Sequence, residues 1–252
     1  MTAPSPKTLQ AFSAPNDALS GKTVLITGAS DGIGKALAVS TAQSGATVIL
    51  QGRSEQKLNA VYDEIVANGC AKPVVVPFDF LKADGGVYVS LAEQIETDFG
   101  GLHGLVHCAG ILGDMTEIED YDGAIWQQVM HVNVNAVFAL TKVCIPMLKR
   151  SNGAIVLASS SVGRKGRAFW GAYAVSKFAV EGLAQTLADE LKTANVRVNV
   201  VNPGATKTGM RLKAYPAEDR SLLKTPEQIA PAFLYFLCAD IDGPTGLSVN
   251  AQ

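Results

Sequence analysis

From Gly21 onward, short runs rich in β-branched residues alternate with longer amphipathic stretches, the pattern of βαβ units wound around a parallel sheet. The apolar runs predict strands over residues 23–27, 47–50, 74–78, 105–108, 154–158, 196–201 and 248–250. Between and after them, helical periodicity predicts helices over 32–44, 54–68, 86–99, 124–149, 171–193 and 226–239. The last has the plainest start, with Thr225 as N-cap, Pro226 in the first turn and Gln228 completing a capping box. No repeat, low-complexity run or Pro/Ser linker divides the chain after residue 21. The expected fold is α/β: a single doubly wound domain over residues 21–252, with a seven-stranded, mainly parallel sheet and helices on both faces.

Composition narrows the picture. Of the 252 residues, 48% are hydrophobic and 17% charged, which suits a packed globule rather than a disordered chain. Twenty-one basic against twenty-three acidic residues leave no field to attract nucleic acid or an anionic membrane, so neither partner is expected. Residues 1–20 lack the basic start and apolar core of a secretory signal and read as a loosely ordered tail. No run of about 18 apolar residues occurs, so no bilayer span is expected. Cys70, Cys108, Cys144 and Cys238 are dispersed, without a Cys-x-x-Cys, and read as reduced thiols in a cytoplasmic protein with no metal site.

In an open parallel sheet a ligand binds beyond the carboxyl ends of the strands, and the unusual residues of this chain collect there. Gly28 follows the first predicted strand, Arg53 the second, Asp79 and Phe80 the third, Ala109 and Gly110 the fourth. Ser159 and Ser160 follow the fifth, and Asn202, Pro203 and Gly204 the sixth. The first turn reads Thr27-Gly28-Ala29-Ser30-Asp31-Gly32-Ile33-Gly34. Between a strand and a helix, such backbone can approach a pyrophosphate, which the helix N-terminus attracts; a tight turn without a ligand is the plainer alternative. Arg53 stands where an acid would bond the adenosine ribose of NAD and a cation suits the 2′-phosphate of NADP. NADP(H) is therefore preferred and NAD(H) possible, because Asp31 occupies the loop position where a second basic residue is wanted.

Tyr173 and Lys177 lie one helical turn apart on one face of a predicted helix, thirteen positions after Ser160. A free phenol titrates near ~10, and an adjacent ammonium can bring that value towards working pH. The pair points to proton exchange at a carbonyl or alcohol carbon. Taken in order, the glycine turn, Asn133 in Val-Asn-Val, Ser159-Ser160-Ser161, Tyr173-Ala-Val-Ser-Lys177 and Asn202-Pro-Gly-Ala-Thr-Lys-Thr208 resemble the short-chain dehydrogenase/reductase family over about residues 21–250. The stretch from Ser159 to Tyr173 further resembles the bacterial YciK subgroup of that family.

The resemblance implies a compact Rossmann-like domain that exchanges hydride between a nicotinamide cofactor and a small-molecule carbonyl or alcohol substrate. It makes Tyr173 the general acid and base, Lys177 the holder of the nicotinamide ribose and the group that depresses the Tyr173 pKa, and Ser160 a donor to the developing oxyanion, with Ser159 and Ser161 as alternatives. Asn133 bends the long helix and keeps a water chain to Lys177, with Asn135 as its rival. Pro203, Gly204, Thr206 and Thr208 border the nicotinamide; Asp79 accepts from the adenine amino group or merely caps a turn.

Two departures from the family pattern stand out. His107-Cys108-Ala109-Gly110 replaces Asn-Asn-Ala-Gly, and His107 reads as a satisfied core histidine rather than a base. Residues 247–252 lack the Asp-Gly-Gly of many family reductases, so their substrates are not carried over. Residues 210–224 read as a mobile lid. Arg164, Arg167 and Trp170 either meet the substrate at the mouth or form a solvated or subunit-contact cluster. Apolar positions on more than one face of the 124–149 and 171–193 helices, including Val180, Leu183 and Leu187, suggest a homodimer or homotetramer. The rival function is a non-catalytic NADP-binding regulatory or structural protein, against which the presence of both Tyr173 and Lys177 argues.

Overall fold

The computed structural model describes residues 3–252. In chain order its elements are α1 (Pro6–Gln10), β1 (Thr23–Thr27), α2 (Gly32–Gln43), β2 (Thr47–Gly52), α3 (Glu55–Ala67), β3 (Val74–Pro77), α4 (Gly85–Phe99) and β4 (Gly104–His107). There follow α5 (Gly123–Met130), α6 (Ala136–Ser151), β5 (Ala154–Ala158), α7 (Gly171–Glu190), β6 (Arg197–Asn202), α8 (Gly209–Ala214), α9 (Pro226–Leu237) and β7 (Ser248–Asn250). The seven strands lie in the order β3-β2-β1-β4-β5-β6-β7, and every pairing is parallel. The chain reverses its direction of winding between β1 and β4, so their carboxyl ends diverge into a crevice.

Both faces of the sheet are covered, which is why the strands are apolar throughout rather than alternating. Along β1, Val24 and Ile26 pack with Leu37 of α2 and with Phe233 and Phe236 of α9. Leu25, pointing the other way, packs with Leu105, Leu140 of α6 and Val180 of α7. Each such side chain contributes roughly 1.5–3 kcal/mol on burial.

Three features differ from the sequence expectation. The 124–149 helix is interrupted by a π-helical turn at His131–Asn135, between α5 and α6, where the Asn133 side chain turns inward to bond backbone outside the helix. The combined helical run Gly123–Ser151 is also long and apolar enough, by length and composition, to cross a bilayer. Here, however, Leu140, Cys144 and Leu148 pack within the core.

Residues 3–20 are not loose. Ser5 caps α1 by accepting from Thr8 N, Leu9 and Leu19 are fully buried, and Phe12 meets Tyr235 of α9 edge-on at 5.4 Å. Gln10 Nε2 adds a hydrogen bond to the Ala251 carbonyl at 2.6 Å. Burying these apolar side chains outweighs the entropy of ordering a short segment. Residues 1 and 2 of the expected tail lie outside the described residues.

Candidate active site

After β1 the chain turns through Gly28 and Gly32, at φ of 67° and 53°, conformations open to glycine. A Cβ on Gly28 would stand 2.8 Å from the Ala109 backbone, and one on Gly34 only 2.2 Å from the Gly28 carbonyl oxygen. The turn is thus a bare backbone cradle at the N-terminus of α2. Asp31 caps that helix by accepting from Gly32 N at 2.7 Å. Its other carboxylate oxygen meets Lys57 Nζ of α3 at 3.0 Å, which holds the Asp31 carboxyl below its usual range.

A cleft of about 370 Å³ opens over this turn. Gly28, Ser30, Asp31, Gly32, Ile33 and Gly34 line one side, Arg53, Asp79 and Phe80 one end, and Ala109 and Gly110 the strip between. Tyr173, Lys177, Pro203 and Thr208 line the same cleft. Asp79 also caps a turn, accepting from Leu81 N at 3.0 Å.

Four expected residues lie off the cleft wall. Asn133 sits behind it: its amide accepts from Ile111 N and donates to Ile111 O, both at 2.9 Å, and donates to Ser176 Oγ at 3.0 Å. It pins the strip after β4 to α7, whereas its rival Asn135 is exposed. Thr206 is buried and braces the loop after β6 through its hydroxyl to the carbonyls of Pro203 and Gly204. Gly204 faces Gln252 instead of the cleft. Ser160 is not on the cleft wall, but its hydroxyl is close enough to the Tyr173 phenol to favour the ionised form.

Sequence reasoning missed Gln51 and Ile111, both on the cleft wall, where Cys108 of the strip after β4 and Met210 at the start of the expected lid also lie. Only Gln51 carries a signal, as a polar side chain ending an apolar strand. Its Nε2 donates to Phe78 O at 2.9 Å, while its Oε1 is buried without a partner. The Ser159 hydroxyl is likewise buried and unpaired, and it too lines the cleft. An orphaned acceptor, an orphaned hydroxyl and a glycine cradle at a helix N-terminus fit an extended dinucleotide with sugar, base and pyrophosphate groups.

Tyr173 and Lys177 are both nearly enclosed, at 7% and 6% exposure. Burial pushes the Tyr173 phenol up to about 12, with the nearby Ser160 hydroxyl pulling the other way. Burial also brings Lys177 down to about 8, against the pull of Cys108 and Glu181. Lys177 Nζ donates to Ala158 O at 2.7 Å and lies 5.6 Å from the centre of the Tyr173 ring. The phenol is thus raised here rather than depressed as the sequence reading expects: burial dominates, and the Lys177 ammonium is engaged by the Ala158 carbonyl. His107 is the satisfied core residue expected, its Nε2 2.9 Å from Thr141 Oγ1 and its pKa lowered to about 3 by burial.

Residues 210–224 hold α8 and a short turn at Arg220–Leu222. An Arg211–Glu218 ion pair and a hydrogen bond from Lys213 Nζ to Gly113 O at 3.0 Å fasten the segment. Trp170 is buried between Tyr173 and Tyr215. Arg167 lies 5.9 Å from the Tyr215 ring. Arg164 turns away from the mouth towards β7.

A family model described as short chain dehydrogenase matches residues 22–219. The oxidoreductase YciK of Escherichia coli K12 is 46% identical over 237 residues, covering 94% of each chain. A 3-oxoacyl-[acyl-carrier-protein] reductase, FabG of Thermotoga maritima, is 36% identical over 233 residues, covering 88% of this chain and 92% of its own. Among solved structures, a short chain dehydrogenase of Escherichia coli CFT073 complexed with NADPH superposes with a TM-score of 0.91 at 46% identity, covering 94% of this chain and 99% of its own. A Shigella flexneri 2a counterpart complexed with NADP gives 0.91 at 45% identity, with the same coverage.

Proposed function

The chain belongs to the short-chain dehydrogenase/reductase family, and from that premise we propose that it is an NADP(H)-dependent oxidoreductase interconverting a carbonyl and a secondary or primary alcohol. The observation that carries this reading is the Tyr173–Lys177 pair on α7, which lines one cleft together with the glycine turn, with the Ser160 hydroxyl near the phenol. When bound, the nicotinamide supplies or accepts the hydride. The rest is the work of the chain's own groups.

In reduction, Tyr173 gives its phenolic proton to the oxygen that becomes the alcohol, and the Ser160 hydroxyl donates to that oxygen as negative charge develops. In oxidation, Tyr173 must first lose its proton. Because burial holds the phenol high, alcohol oxidation is expected to rise with pH over a range where carbonyl reduction stays level. Lys177, protonated at neutral pH, holds the nicotinamide ribose. Asn133 fixes the strip from Ala109 to Ile111 against which the cofactor lies.

The preference for NADP(H) over NAD(H) rests on Arg53 at the cleft end and on Lys57, which neutralises Asp31 and so removes an anion that would repel a 2′-phosphate. Two relatives at 45% and 46% identity are complexed with NADP and NADPH. The four cysteines are free thiols, which suits a cytoplasmic protein. Val180 and Leu187, read from the sequence as outward-facing, are core residues; Phe138, Val175 and Phe178 are the exposed apolar positions on α6 and α7 and support a homodimer or homotetramer.

The direct test is a panel of ketones, aldehydes and secondary alcohols assayed with both cofactor pairs by nicotinamide absorbance, alongside fluorescence titration of NADPH and NADH. Turnover that Tyr173→Phe abolishes, with tighter NADPH than NADH, supports the reading. Equal or tighter NADH binding overturns the NADP assignment, and no turnover on any of the panel favours the non-catalytic binding protein.

A further inference from the structure

Arg164 lies just after the short turn Ser161–Gly163 that follows Ser160, and its guanidinium makes four hydrogen bonds to groups from two distant elements. Nε donates to Glu181 Oε1 of α7 at 3.1 Å. One terminal nitrogen donates to Asn250 Oδ1 at 2.7 Å, the other to Ser248 Oγ at 2.6 Å and Val249 O at 3.1 Å, all in β7. Ser248 Oγ in turn donates to Glu181 Oε2 at 2.6 Å. This is no loose surface pair: the Glu181 side chain is 8% exposed and that of Arg164 31%. A planar fork with several fixed acceptors holds its geometry where a single surface ion pair does not.

The network reaches the site from three sides. Glu181 lies one helical turn beyond Lys177 on the same face of α7. Gly163 presses on the lysine from above, since a Cβ there would stand 2.8 Å from Lys177 Cβ and 2.9 Å from its backbone. Asn250 Oδ1 also accepts from Asn202 Nδ2, whose own Oδ1 takes Gly204 N, so the chain of bonds runs on into the loop after β6.

We propose that Arg164 and Glu181 are positioning residues for the catalytic wall: they clamp the Ser160 turn and the Lys177 segment of α7 to β7, so that a strand outside the cleft sets the alignment of Lys177. The inference rests on the functional reading above, in which Lys177 holds the cofactor. The groups facing Lys177 are Tyr173 and Glu181 from its own helix and His107 and Cys108 from the β4 side, with Arg164 behind Glu181. Burial keeps His107 and the Cys108 thiol uncharged near neutral pH, which leaves Glu181 as the anion among them.

The test is NADPH fluorescence titration from neutral to alkaline pH on wild type, Glu181→Gln, Arg164→Ala and Arg164→Lys, with thermal melting of each. Wild-type affinity falls as Lys177 loses its proton. Glu181→Gln keeps the shape but removes the anion that supports the ammonium, so this midpoint moves to lower pH, and one unit of movement weakens NADPH about tenfold above it. Arg164→Ala weakens NADPH by about tenfold. Arg164→Lys, which keeps the charge but not the fork, recovers part of that loss. Variants that only melt earlier, with wild-type affinity and midpoint, overturn the positioning role, and if Glu181→Gln does not fold, the two Arg164 variants decide. A wild type that binds no NADPH overturns the functional reading itself.

Discussion

The glycine-turn side of the cleft is almost bare backbone, where a Cβ on Gly28 or Gly34 would strike main-chain atoms, whereas the opposite side consists of long side chains, Tyr173 and Lys177, whose placement depends on groups behind them. The first wall is shaped by what the chain cannot carry. The second is shaped by what holds it: Asn133 in an irregular helical turn, Ala158 O on the ammonium, Glu181 and Arg164 beyond. A backbone wall tolerates almost no change at its glycines and has no proton to give. A side-chain wall can lose its chemistry while its shape persists.

Tyr173→Phe breaks that comparison most sharply. It removes one hydroxyl from the second wall and leaves the first untouched, so carbonyl reduction should fall by about 10²–10⁴-fold while the NADPH dissociation constant hardly moves. In activation free energy that is roughly 3–5 kcal/mol. Steady-state kinetics with parallel fluorescence titration measures both, and a matching loss of NADPH affinity would show that the phenol is part of the binding wall.

Gly34→Ala attacks the other side. The new Cβ lies 2.2 Å from Gly28 O and 2.7 Å from Gly28 C, a collision that only main-chain movement can relieve. Destabilisation of about 3 kcal/mol is expected, together with loss of NADPH binding in whatever protein remains folded. Denaturant melts and titration of the same preparation read the two effects, and a variant as stable as wild type would mean that the turn is softer than its spacing implies.

His107 belongs to the sheet between the walls and offers a smaller, pH-dependent effect. Its folded value near 3 lies below the unfolded value of 6.5, so at intermediate pH the unfolded chain binds the extra proton. The stability this residue contributes is complete above about 6.5 and drains away as pH falls towards 3, by about 1.4 kcal/mol per unit. Denaturation of His107→Asn and wild type at a series of acidic pH values isolates the term, and parallel curves would show that the imidazole is protonated in the folded state.

The backbone wall was the more legible of the two from the sequence. Gly28, Gly32 and Gly34 announce their positions because no other residue fits, and the apolar runs of β1 and β5 have the same ends in the sequence reading as in the structure. The second wall was legible in its residues and not in its supports. The π turn at His131–Asn135 keeps the apolar periodicity of a continuous helix, so only the tertiary bonds of Asn133 to Ile111 reveal the break. For Arg164 the sequence leaves open a substrate contact or a solvated or subunit-contact cluster, and neither is its role, because its partners Ser248 and Asn250 lie more than eighty residues away. Leu9 and Leu19 suggested nothing in a segment rich in Ala, Pro and Ser, since their burial depends on α9 and on Ser44, to whose carbonyl Leu19 N donates.

Gly182 refines the contrast from within the second wall. It sits inside α7, one residue after Glu181, on an exposed face where an added Cβ meets nothing within 4 Å. Gly163, by comparison, has no room for one. An interior helical glycine costs backbone entropy that alanine does not, so in protein dilute enough to be monomeric Gly182→Ala should raise stability by about 0.5–1 kcal/mol and leave NADPH affinity unchanged. Chemical denaturation at matched protein concentrations checks the sign. Destabilisation at higher concentration, shrinking as the protein is diluted, would mean that a second copy closes on the face of α7 that carries Val175 and Phe178 and that Gly182, like Gly34, is a glycine kept for close approach.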